Sequence, residues 1–183
     1  MMKLLNPIEV NPMYLLFVMV VWIFFAYKFI DWSQWRKQYP TILFFIAANL
    51  TYNFLYFNHT LWAFRGVTAE WINHSIINMA FTFFICPVGL IIYLQRFPKK
   101  RINQFTYIAI WAGFYTLLET LFAYRGLYVY DNGWNGWLNI PLNTILFVMI
   151  YIHYRSPVKA LVISIPIAIL FYLLFPVPLD SLK

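Results

Sequence analysis

Long apolar stretches alternate with short polar or basic connections along the whole chain. Their approximate bounds are 13–30, 41–63, 72–94, 104–124, 137–154 and 158–178. Each approaches the roughly 20 residues that a helix needs to cross the hydrocarbon core of a bilayer. A backbone inside lipid must satisfy its own hydrogen bonds, so we expect each stretch to be helical. The pattern predicts an all-α integral membrane bundle of about six transmembrane helices, forming one domain over residues 1–183.

Composition agrees with this interpretation. Hydrophobic residues make up 63% of the chain and charged residues 10%, whereas a soluble domain is nearer ~45–50% apolar and ~25% charged. Such a chain has too much apolar material for one water-facing core. Six spans of roughly 20 residues would leave only short loops, so no extramembrane domain is expected. Cys86 is the single cysteine, which excludes an intrachain disulfide.

The positive charge indicates orientation rather than nucleic-acid binding, because no basic face exists outside the membrane segments. Three connections, after the first, third and fifth stretches, hold nine of the 13 Lys and Arg residues: Lys28, Arg36, Lys37, Arg96, Lys99, Lys100, Arg101, Arg155 and Lys159. The other side holds Lys3, Arg65, Arg125 and Lys183. Positive loops stay preferentially in the cytoplasm, so both termini are predicted to lie outside.

An internal likeness suggests a repeated two-helix unit. The sequence Leu-Trp-Ala-Phe-Arg-Gly-Val at 61–67 resembles Leu-Phe-Ala-Tyr-Arg-Gly-Leu at 121–127, an offset of 60 residues. Further on, His74 and Asn78 align with Asn139 and Asn143. The alternative is convergence, since all outgoing spans need similar start and stop signals.

Glu119 is the main candidate for chemistry, because it is the only acidic residue well inside a predicted span. An ionisable group within a bilayer costs roughly 2.5 kcal/mol or more, so it usually faces a partner or a cavity. Tyr115 lies one turn earlier on the same face. The functional interpretation makes Glu119 a general acid or base. The structural interpretation gives it a hydrogen-bond partner such as Tyr, Asn or Arg65 on another helix.

Further polar residues fall in the same half of the bundle and complete the predicted binding set. They are His59, which the repeat aligns with Glu119, and His74, Asn78, Asn139, Asn143 and Asn53. These residues would line a polar pocket or hold helices together, at roughly 0.6 kcal/mol per contact, and we favour the second. Zinc would accept two imidazoles and a carboxylate. However, His59, His74 and Glu119 form no short ligand motif, so neither a metal nor a cofactor is predicted.

Four stretches carry a family resemblance: Trp32–Thr41, Tyr52–Leu55, Gly133–Trp137 and His153–Pro157. They resemble a family of small, uncharacterised multi-span membrane proteins from spore-forming bacteria, over about residues 30–178. The resemblance implies a bacterial cytoplasmic membrane and supplies no activity or catalytic residue. A second likeness is to small membrane-embedded lycopene cyclase domains, in which a Pro-x-Glu-Glu motif opens a span. The matching Pro141-Leu142-Asn143-Thr144 lacks both acids.

No phosphate loop, nucleophile elbow, zinc-protease motif or cysteine pair occurs in the chain. We therefore predict a non-enzymatic membrane protein that binds a membrane lipid, a small solute or a partner membrane protein, and no nucleic acid. One alternative is a membrane-embedded lipid or isoprenoid enzyme that uses Glu119. Another is a small transporter or transporter subunit, with which Pro87, Pro141 and Pro166 are compatible.

Overall fold

The structure is a computed structural model that describes residues 13–64 and 74–178. Its helices are α1 (Met13–Phe29), α2 (Trp35–Leu55), α3 (His74–Gln95), α4 (Arg101–Tyr124), α5 (Asn139–Arg155) and α6 (Pro157–Leu174). Two short strands, β1 (Trp62–Phe64) and β2 (Tyr128–Tyr130), and a 3-10 turn at Gly136–Leu138 complete it. The predicted helical character is confirmed, whereas the strands were not predicted.

Four helices are long and apolar enough to cross a membrane: α3, α4, α5 together with its preceding 3-10 turn (Gly136–Arg155), and α6. The described part of α1 is a shorter apolar helix, and α2 begins with a polar turn that contains Arg36 and Lys37. In α3 a π-helical segment, Phe81–Ile85, comes just before Pro87. A proline ring inside a helix clashes with the carbonyl four residues earlier, and a wider turn relieves that clash.

The second predicted stretch, 41–63, is wrong at its end, because α2 ends at Leu55. Beyond it, the Tyr56 side chain turns into the protein, and its hydroxyl donates to the Phe175 carbonyl at 2.8 Å. The Leu61 N–H in turn donates to the Tyr52 hydroxyl at 3.1 Å. These side-chain contacts return the chain toward the bundle, so the apolar residues that follow form β1 instead of a last helical turn.

Strands β1 and β2 pair in antiparallel fashion, with Trp62 opposite Tyr130 and Phe64 opposite Tyr128. Each strand is flanked by helices, which gives two units of the same order, α2–β1–α3 and α4–β2–α5. The strands begin at residues 62 and 128, an offset of 66 and not the predicted 60. The likeness of 61–64 to 121–124 is therefore not a structural equivalence, because the first segment contains a strand and the second is the end of α4.

In each unit a hydrogen bond joins the strand to the second helix. The Phe64 N–H of β1 donates to His74 Nδ1 at 3.0 Å. Asn139 Nδ2 of α5 donates at 2.8 Å to the hydroxyl of Tyr130 in β2. His74 and Asn139, which the sequence aligns, thus both contact the strand of their own unit.

Helix α4 ends at a glycine, as its sequence suggests. Gly126 has a positive φ of 70°, a conformation that glycine adopts without steric cost. The Leu127 N–H reaches back to the Phe122 carbonyl at 2.9 Å, which satisfies one carbonyl of the last turn. The corresponding Arg65 and Gly66 lie outside the described residues.

Helix α5 lies at the centre of the bundle, packed against α2, α4 and α6, while α1 packs on the second half of α3. The main apolar cluster includes Leu90, Tyr93, Phe147 and Ile150, all fully buried. A second cluster, here called the aromatic cap, is built on Tyr56, Leu61, Trp134 and Val177 at the other end of the bundle. The connections α1–α2, α3–α4 and α5–α6 lie at the opposite end, here called the basic end.

Candidate functional site

A polar contact joins α4 to α5, one turn from the main apolar cluster. Asn143 is buried, with 3% of its surface exposed. Its Nδ2 donates to Glu119 Oε2 at 3.0 Å and to Thr116 Oγ1 at 3.1 Å. Both amide hydrogens are therefore used, each for a residue of the neighbouring helix. This geometry matches the structural interpretation of Glu119, in which an asparagine from another helix is its partner.

Tyr115, one turn before Glu119, is in a different situation. Its hydroxyl is enclosed and has no hydrogen-bond partner among residues 13–64 and 74–178. It lies over Gly89 of α3, where an added Cβ would collide with it. Glycine at position 89 therefore makes room for the phenol. The Glu119 carboxylate also acts electrostatically on Tyr115 and on Cys86.

The aromatic strand β2 closes over this region. Tyr128 is buried, with 8% of its surface exposed. Burial raises the pKa of the Tyr128 phenol well above its usual value, and the nearby Glu119 carboxylate adds to the shift. Both effects disfavour a phenolate. Tyr128 therefore stays a neutral phenol and does not act as a base beside Glu119.

The first unit contains a matching contact between α2 and α3. The Thr82 hydroxyl, 1% exposed, donates to the Asn78 carbonyl at 2.7 Å and lies 3.3 Å from Asn49 Oδ1. Asn53 stays on its own helix, where its Nδ2 donates to the Asn49 side chain at 2.6 Å. Thr82 is not among the residues predicted from the sequence, although it lies one turn after Asn78 on the same face.

His59 does not occupy the position predicted from the repeat. It lies in the turn after α2, where its N–H donates to the Tyr56 carbonyl at 3.1 Å. Its alignment with Glu119 is therefore wrong, because Glu119 lies inside α4. His74 instead supports β1 through the bond from Phe64. Within residues 13–64 and 74–178, no three His, Cys, Asp or Glu side chains form a group that could hold a metal.

Asn139 belongs to the aromatic cap. Its side chain is 2% exposed and accepts a 2.8 Å hydrogen bond from the Trp134 indole N–H. The Trp134 ring lies 4.9 Å from Trp62 and 5.0 Å from Phe175, centroid to centroid. Asn132 ties the same loop to the segment after α2 by donating to the Thr60 carbonyl at 2.8 Å. The predicted binding residues thus belong to several separate hydrogen-bonded contacts.

Two cavities lie at the basic end instead. The first, here called the Asp31 cavity, has a volume of about 490 Å³ and includes Lys28, Asp31 and Arg96 in its lining. The Asp31 carboxylate already accepts hydrogen bonds from Ser33 Oγ at 2.6 Å and Gln34 Nε2 at 2.7 Å. The bond from the Ser33 side chain, followed by that from Gln34, lowers the pKa of Asp31. This carboxylate therefore stays ionised.

The second cavity, here called the Arg155 cavity, has a volume of about 520 Å³. Its lining is Leu94, Phe97, Pro98, Lys99, Arg101, Gln104, Tyr151, Tyr154 and Arg155. Three of these side chains are cationic and none is acidic. In the sequence these cations indicate only membrane orientation, because nothing local shows that residues from two connections, some 55 positions apart, line one space.

Comparison of the chain with protein-family models, with curated proteins and with solved structures finds no match. The family resemblance therefore stays a prediction.

Proposed function

We propose that the protein is a six-span protein of a bacterial cytoplasmic membrane, with both termini outside, and that it binds a membrane lipid without catalysing a reaction. Four apolar helices support the membrane assignment. Their outward side chains are apolar, as in Val162, Ile165 and Leu173 of α6, which are 61%, 61% and 69% exposed. A bilayer is the environment in which such a surface is favourable.

The observation that carries the binding function is the pair of cavities at the basic end. Both are lined by cations and by aromatic residues, and they share Leu94 and Tyr154. In a protein with its basic loops in the cytoplasm, this end lies at the level of the inner-leaflet headgroups. Cations and aromatic rings at that depth favour contact with lipid headgroups and with the adjoining glycerol region.

The polar residues inside the bundle support binding rather than catalysis. Asn143 holds the Glu119 carboxylate and so joins α4 to α5, and Thr82 of α3 lies 3.3 Å from the Asn49 side chain of α2. Such contacts stabilise membrane bundles at roughly 0.6 kcal/mol each. They need no substrate to explain their burial.

One observation favours the enzyme alternative. The enclosed Tyr115 hydroxyl lacks a hydrogen-bond partner among the described residues, and it lies one turn from Glu119. Buried polar groups normally have partners, so a polar group of a bound lipid or isoprenoid would satisfy this hydroxyl next to a potential general acid. The transporter alternative stays a prediction from the sequence.

Native mass spectrometry of the protein in mild detergent tests the binding function. We expect copurified phospholipid on the wild type and on Glu119→Gln in equal amounts, because the cavities lie away from Glu119. A ligand that is present only on the wild type would favour the Glu119 site and the enzyme alternative. No retained lipid on either protein would contradict the proposed function.

Cysteine labelling in cells tests the orientation, and the single Cys86 makes it simple. In a Cys86→Ala background, Trp137→Cys (native side chain 82% exposed) should react with a membrane-impermeant maleimide on intact cells. Lys100→Cys, in the α3–α4 connection, should react only after permeabilisation. The reverse labelling pattern would show that the orientation is opposite to the proposed one.

A further inference from the structure

We propose that the Arg155 cavity is a binding site for the phosphate of an anionic phospholipid headgroup. This inference depends on the proposed lipid-binding function and specifies its site and its lipid class. It begins from the charge of the lining, which holds Lys99, Arg101 and Arg155 and no carboxylate. The Asp31 cavity differs, because its lining includes a carboxylate beside the cations.

Orientation alone does not explain this arrangement. The positive-inside rule requires cations in the connections but does not require them to converge. Arg155 ends α5, whereas Lys99 and Arg101 stand at the start of α4. The fold brings these two segments around one cavity. Because three like charges around one space repel each other, an anion bound among them would relieve the repulsion.

The loop that carries Lys99 is held in place. Gln104 Nε2 donates to the Pro98 carbonyl at 3.0 Å and lies 3.4 Å from the Lys99 carbonyl. Lys100, the residue before α4, makes no side-chain cap to that helix. The first N–H groups of α4 therefore add positive potential near Lys99 and Arg101. Fixing the loop in advance reduces the ordering cost of binding.

The rest of the lining suits the apolar part of a lipid. Phe97 and Tyr151 stack with centroids 3.9 Å apart and form an aromatic wall. Next to the cavity, Ile102 and Phe105 of α4 are 72% and 73% exposed, so the surface there is apolar. A phosphate held by the cations would thus have acyl chains beside an apolar helix face. Free phosphate has the same anionic chemistry but makes no use of that face.

Competition between lipids in nanodiscs, read out by native mass spectrometry, tests this inference. The full-length wild type is placed in equal amounts of phosphatidylglycerol and phosphatidylcholine. We expect it to retain phosphatidylglycerol preferentially. A cation that bonds the phosphate directly contributes roughly tenfold, more than a cation that acts only through the surface potential. Lys99→Gln/Arg155→Gln should therefore reduce the preference by more than about tenfold.

The matched control is Arg36→Gln/Lys37→Gln. It removes the same charge at the same end from exposed positions that line neither cavity. We expect its preference to stay within about twofold of the wild type. Arg155→Lys, which keeps the charge, should retain most of the preference. An equal loss in the cavity variant and in the control would overturn the site in favour of general surface charge.

The remaining outcomes test the anionic-lipid site and the general lipid-binding function separately. Equal retention of both lipids by the wild type would overturn the anionic site and leave lipid binding intact. No retained lipid at all would overturn the proposed function as well. Millimolar inorganic phosphate added to the same sample should leave the phosphatidylglycerol bound. If phosphate displaces the lipid and appears on the wild type only, the cavity binds a soluble anion and the lipid assignment is wrong.

Discussion

Replacing Asn143 with leucine should break the contact that joins α4 to α5. The substitution keeps a similar volume but removes the two bonds to Glu119 and Thr116, 3.0 and 3.1 Å long. It also leaves the Glu119 carboxylate without the donor that the structure gives it. Measured against Glu119→Leu and the double variant, the change isolates the energy of this single pair.

The structure sets the expected magnitude. Hydrogen bonds inside membrane bundles contribute about 0.6 kcal/mol on average and up to about 1.7 kcal/mol. The Asn143 side chain is nearly fully buried and its acceptor is a carboxylate, so we place the coupling energy in the upper part of this range, at about 1 to 1.7 kcal/mol. For a protein of this size, 1 kcal/mol corresponds to a change of about 2–4 °C in Tm.

Reversible unfolding in mixed detergent micelles is monitored by tryptophan fluorescence. It gives the free energies of unfolding of the wild type, the two single variants and the double variant. Thr144→Leu is the matched control, because Thr144 is the next residue of α5 but is exposed and bonds only the Ile140 carbonyl among the described residues. Its coupling to Glu119→Leu should fall below about 0.5 kcal/mol. A coupling for Asn143 no larger than this control would refute the assignment of Glu119 to helix association.

Three further predictions follow from individual contacts. Gly89→Ala should destabilise the protein by about 1–3 kcal/mol through overpacking, and Tyr115→Phe in the same chain should restore most of the loss, as thermal unfolding would show; no rescue would contradict the contact. The hydrogen bond from Ser33 lowers the pKa of Asp31, so the stability that Asp31 contributes is present above its unfolded-state pKa of about 3.9 and is lost as the pH falls through the lower folded-state value. The Tm difference between the wild type and Asp31→Asn should accordingly shrink as the pH falls below about 3.9, and a constant difference would argue against it. Trp134→Phe should cost about 1–3 kcal/mol, because it keeps a ring in the aromatic cap but leaves a buried amide oxygen without its donor; an unchanged Tm would show that this bond contributes nothing.

The sequence alone determined most of the helices, for a reason that is local. An apolar run of bilayer length has few alternatives to a helix, so the predicted 72–94 and 104–124 lie close to His74–Gln95 and Arg101–Tyr124. Residues 56–63 were also predicted to be helical, but they are not. A short apolar segment fits a strand as well as a helix by its pattern, and contacts with distant Phe175 and Tyr130 decided the matter.

For the candidate site, the sequence identified polar residues that are costly to bury but not their partners. Glu119 and Asn143 stood out because a polar side chain inside a membrane span needs a partner. Which residues meet depends on how helices pack, and spacing along the chain does not contain that information. The repeat misled for this reason, since it matched Glu119 with His59, which lies in the turn after α2. The Arg155 cavity exists only in three dimensions, because its walls come from connections that the fold alone brings together.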